Sequence, residues 1–120
     1  MTKSLTSWDN AKRDGRKMTM VTAYDAIAAE ALAEAGARIV LTEAIPAALA
    51  TEITACLPVP TIGIGAGPGT DGQVLVLHDI LGLSLDKTPS FAKVYLNGAE
   101  LFTTALASYA RDVRNGSFPA

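Results

Sequence analysis

The chain has 120 residues, 49% of them apolar, 6% aromatic, and a formal net charge of −2. One domain is the natural reading at this length, and burial of roughly 65% of the unfolded surface is enough for a core without disulfides or metal. The near-neutral charge gives no basic face for nucleic acid, and no run approaches the ~18 consecutive apolar residues of a membrane span. The single cysteine, Cys56, cannot form an intrachain disulfide. With a polar N-terminus that lacks the apolar core of a secretory signal, this is consistent with a cytoplasmic location.

The elements are predicted in chain order. Ser4 to Lys12 reads as a short helix, with Ser4 or Thr6 as N-cap, Leu5 and Trp8 as apolar contacts and Gly15 past its end. Met18 to Ala23 is rich in β-formers and reads as a first strand. Asp25 is placed to cap a helix over Ala26 to Ala35, which Gly36 closes. Arg38 to Thr42 is a second strand. Pro46 suits the first position of a helix continuing over Ala47 to Cys56, with Leu49 and Ile53 facing inward. Pro58 and Pro60 break that helix. Thr61 to Gly65 is a third strand, Ala66 to Gly72 a glycine-rich loop, and Gln73 to Leu77 a fourth strand. His78 to Leu83 reads as a short helical turn, Ser84 to Ser90 as a polar loop, and Phe91 to Asn97 as a helix. A longer helix follows over Ala99 to Arg114, with Gly116 as its stop.

Strands alternating with helices at this spacing imply βαβ units and a mainly parallel sheet, hence an α/β fold. The strands are near-continuous apolar runs, as expected when both faces are covered.

Two features carry candidate chemistry. The run Thr61 to Gly67 (TIGIGAG) has glycines at positions 63, 65 and 67. It reads either as a phosphate site or as a strand whose glycines make room for bulky neighbours. The spacing is G-x-G-x-G rather than G-x-G-x-x-G, which favours packing. Glu43 stands at the C-terminal end of an apolar strand, where parallel α/β folds place their chemistry. It reads as a general base or as a carboxylate favoured by the helix dipole. Tyr24 and Asp25 occupy the matching position on the first strand, where Asp25 is first a helix cap. Asp71 and Asp79 read as loop or capping groups. His78, the only histidine, has no Cys or His at ligand spacing. Lys12, Arg13, Arg16 and Lys17, diluted by Asp9 and Asp14, read as solvated surface, as do Arg111, Asp112 and Arg114.

Together several segments resemble the ketopantoate hydroxymethyltransferase family. They are Met20 to Asp25 (MVTAYD), Leu41 to Pro46 (LTEAIP) with Ala50 to Thr54 (ATEIT), Pro60 to Gly67 (PTIGIGAG) with Thr70 to Asp79 (TDGQVLVLHD), and the closing Gly116 to Pro119 (GSFP). In order they resemble the family's first strand, sixth strand and helix, seventh and eighth strands, and C-terminal region. The resemblance implies a (β/α)₈ barrel, a fold of typically ~250 residues. It implies hydroxymethyl transfer from methylenetetrahydrofolate to the keto acid 2-oxoisovalerate, with Mg²⁺ holding the keto acid, and Glu43 as the proton acceptor.

Strands two to five of that family have no counterpart here. They carry an Asp-Ser pair, an Asp and a Lys-x-Glu that bind Mg²⁺ and the keto acid, so no residue of this chain is expected to ligate the metal. The resemblance then implies a partial, half-barrel domain of about four parallel strands, joined at Glu34 to Ala37, with native activity lost or reduced. An inactive scaffold or association module is the other reading. Only about three residues, Gly36 to Arg38, span the join, and a residue reaches at most ~3.6 Å. The Arg38 to Thr42 strand is therefore expected beside Met18 to Ala23. The exposed edges and inner face of such a sheet favour a homo-oligomer.

Overall fold

The computed structural model describes residues 6–84 and 87–120. Expectations placed on Ser4, Leu5, the Trp8 side chain and the middle of the Ser84 to Ser90 loop lie outside the described residues. Two units are present, Met1–Val74 and Leu75–Ala120.

In the first unit, α1 (Thr6–Arg13) precedes β1 (Met20–Ala23), α2 (Ala26–Glu34), β2 (Ile39–Glu43), α3 (Ala47–Cys56), β3 (Thr61–Ile64) and β4 (Gly72–Gln73). The sheet order is β1-β2-β3-β4, with every neighbouring pair parallel. The strand after the short connection lies beside β1, as the reach of that connection requires, and the sheet remains open.

Local sequence accounts for the helix ends. Asp25 has extended backbone, and its Oδ1 accepts the Ala28 N–H at 2.7 Å. Such a cap contributes about 1 kcal/mol. At the other end, Gly36 takes a left-handed φ of 91°. The Gly36 N–H then reaches the Ala33 carbonyl at 3.1 Å and the Ala37 N–H reaches Leu32 at 2.9 Å. This paired closure satisfies carbonyls that α2 cannot bond internally. Pro46 lies one position outside α3 rather than in its first turn, because its ψ of 138° is extended.

Strand alternation separates two faces. Ala23, Val40, Thr42 and Thr61 share one face and are almost fully buried. Val40 packs there with Ala29, Ala50, Ile53 and Leu57 in the core formed with α2 and α3. Burying a side chain such as Ile53 contributes ~1.5–3 kcal/mol. The other face carries Met20, Leu41, Glu43, Ile62 and Ile64 and is less covered.

The second unit contains α4 (Leu77–Leu81) and α5 (Gly98–Asn115). Gly116 closes α5 with a left-handed φ of 78°. Two expectations are corrected. The run Gln73 to Leu77 is not a full strand: pairing ends at Gln73, with one further bond from Val74 N–H to the Gly63 carbonyl at 3.0 Å. Past Ile64, β3 turns away at Gly65 with φ 61°, so later residues of the run have no ladder to join. Leu77 starts α4 instead. Phe91 to Asn97 is not helical. There the Tyr95 N–H bonds the Ile80 carbonyl at 2.8 Å, and beyond it the Ala99 N–H bonds Gly82 at 3.0 Å. The first bond comes from the segment and the second from the start of α5, and both satisfy carbonyls at the end of α4.

Candidate functional site

Glu43 is the last residue of β2, one position beyond the predicted strand end, and pairs in register with Ile64 of β3. Its side chain shares a face with Leu41 and Ile62, at the C-terminal lip of the sheet. The next residue, Ala44, has a left-handed φ of 51°, the one non-glycine residue with positive φ among the described residues. A side-chain-bearing residue loses ~1–2 kcal/mol in that conformation. The bend is held by the Ala44 N–H, which donates to the Ile64 carbonyl at 2.9 Å. It ends the strand abruptly and leaves Glu43 at the rim.

Tyr24 follows β1, and its hydroxyl donates to Glu43 Oε2 at 3.2 Å. Among the described residues, Oε1 accepts no hydrogen bond. One oxygen is held and the other is open, an arrangement suited to a carboxylate that accepts a proton from a bound molecule. Sequence reasoning placed Tyr24 and Glu43 at matching strand ends but did not see their contact. A turn over Glu43 to Ile45 is legible from the sequence ahead of Pro46, but the left-handed backbone at Ala44 is not, because alanine carries no signal for it.

The other candidates serve structure. Asp25 caps α2. Asp71 Oδ2 accepts from the Thr61 N–H at 2.8 Å and the Thr61 hydroxyl at 3.1 Å. The Thr61 hydroxyl also meets Thr54 of α3 at 2.8 Å. Asp79 is buried and accepts from the Ser84 hydroxyl at 2.8 Å. His78 is exposed on α4. Lys12, Arg13, Arg16 and Lys17 are exposed, and Asp14 pairs with Arg13 at 3.2 Å and Arg16 at 3.6 Å.

The glycine-rich run is a packing device. A Cβ on Gly63 would lie 2.8 Å from Thr70 Oγ1. On Gly67 it would overlap Ala47, and on Gly69 it would overlap Thr51. The loop therefore lies directly against the first turns of α3. Gln73 latches it, donating to the Gly67 carbonyl at 2.9 Å and Thr70 Oγ1 at 3.0 Å.

Among the described residues, no three His, Cys, Asp or Glu side chains come together at metal-binding distances. No helix among them is long and apolar enough to cross a membrane.

Parallel βα units with an acidic residue at a strand's C-terminal end define an α/β protein built as part of a βα barrel, its sheet not closed. The profile of the family described as ketopantoate hydroxymethyltransferase matches residues 26–120. The chain belongs to that family. It is 49% identical over 112 residues to a 3-methyl-2-oxobutanoate hydroxymethyltransferase of Acidithiobacillus ferrooxidans, covering 93% of this chain and 42% of the relative. Proteins of the same name from Pyrobaculum calidifontis and Moorella thermoacetica are 55% and 57% identical over 91 residues. Each of those matches covers 76% of this chain and 34% of the relative. The chain thus spans about two fifths or less of the length of these relatives.

Proposed function

We propose that Glu43 holds the proton-acceptor position of a 3-methyl-2-oxobutanoate hydroxymethyltransferase, and that these 120 residues do not complete the reaction alone. The observation that carries the reading is the Glu43 carboxylate at the lip of β2, oriented by the Tyr24 hydroxyl, in a chain of this family. Extending the keto acid at C3 by a one-carbon unit requires loss of the C3 proton. That proton is acidified by the neighbouring ketone, and a carboxylate with one free oxygen can accept it.

The keto acid, methylenetetrahydrofolate as one-carbon donor, Mg²⁺ and a cytoplasmic setting are the partners and place this reading implies. Mg²⁺ would hold the keto acid and steady the negative charge that follows proton loss. The residues present do not fit that ion: none beside Glu43 joins it in a metal-binding cluster among the described residues. In this reading the remaining groups belong to barrel segments with no counterpart in the chain. The two sheet edges, on β1 and β4, pair with no further strand among the described residues and favour self-association as a homo-oligomer.

The test is an assay with 2-oxoisovalerate, methylenetetrahydrofolate and Mg²⁺, following ketopantoate. The chain alone is expected to give no product above the uncatalysed rate. Turnover abolished by Glu43→Gln would support the site and refute the loss of activity. Turnover unaffected by Glu43→Gln would refute both.

A further inference from the structure

We draw no further inference here: the strongest candidate, the cleft between α2 and α3 where Glu30, Glu52 and the Cys56 thiol line an apolar floor of Ala29, Ile53 and Leu57, carries nothing, because an acidic rim with a lone cysteine names no ligand and, among the described residues, no buried unpartnered polar side chain points into it.

Discussion

The Tyr24 hydroxyl donates to Glu43 Oε2 across 3.2 Å, joining the residue after β1 to the last residue of β2. The bond depends on the register of Ala23 beside Thr42, so it exists only because these two strands are neighbours. A double-mutant cycle of Tyr24→Phe and Glu43→Gln is expected to give a coupling energy of about 0.5–1 kcal/mol in urea unfolding, the low end because Tyr24 is exposed. No coupling would mean that the bond is absent in solution.

Ala44 provides a second test of how the rim is built. Ala44→Gly relieves the left-handed strain but loosens the unfolded chain, so stability is expected to change by less than ~0.5 kcal/mol. Ala44→Val puts a β-branched side chain at φ 51° and is expected to cost ~1 kcal/mol or more relative to the native chain. Equal unfolding midpoints for the two variants would show that the turn relaxes away from this conformation.

Asp71 ties the glycine-rich loop to the start of β3. Asp71→Ala leaves the Thr61 N–H without its carboxylate and is expected to cost about 1–3 kcal/mol. Asp71→Asn keeps an oxygen acceptor and is expected to cost less. The comparison of denaturant midpoints checks it, and equal losses would show that geometry alone does not hold the clasp.

Gly69→Ala is expected to destabilise the fold by about 1–3 kcal/mol, because its methyl group would overlap Thr51 and the backbone there leaves little room to shift. A stability unchanged from the native chain would mean that the loop does not lie against α3.

The caps were legible because each rests on one local residue. Asp25 and Gly36 do what their side chains and backbone freedom allow wherever a helix needs an end. The strand order was legible from chain reach, since Gly36 to Arg38 can connect only neighbours. The length of β4 was not: Val74 to Leu77 has strand composition, but pairing depends on β3, which turns away at Gly65. Phe91 to Asn97 failed for a related reason, because the Ile80 carbonyl in the last turn of α4 takes the Tyr95 N–H. At the candidate site, Glu43 could be singled out from its place after an apolar strand. Its contact with Tyr24 depends on register between segments 19 residues apart. The glycine run marked the family in sequence, and in the structure its glycines fit the loop against α3.

The most direct test of the account is calorimetric titration of the full chain with 2-oxoisovalerate, with and without Mg²⁺, for the native sequence and Glu43→Gln. Glu43 is proposed to be present without the groups that hold the metal and keto acid. No saturable Mg²⁺-dependent heat is therefore predicted for either protein. Saturable binding that requires Mg²⁺ and is lost in Glu43→Gln would contradict the account, because it would show a working keto-acid site within these 120 residues.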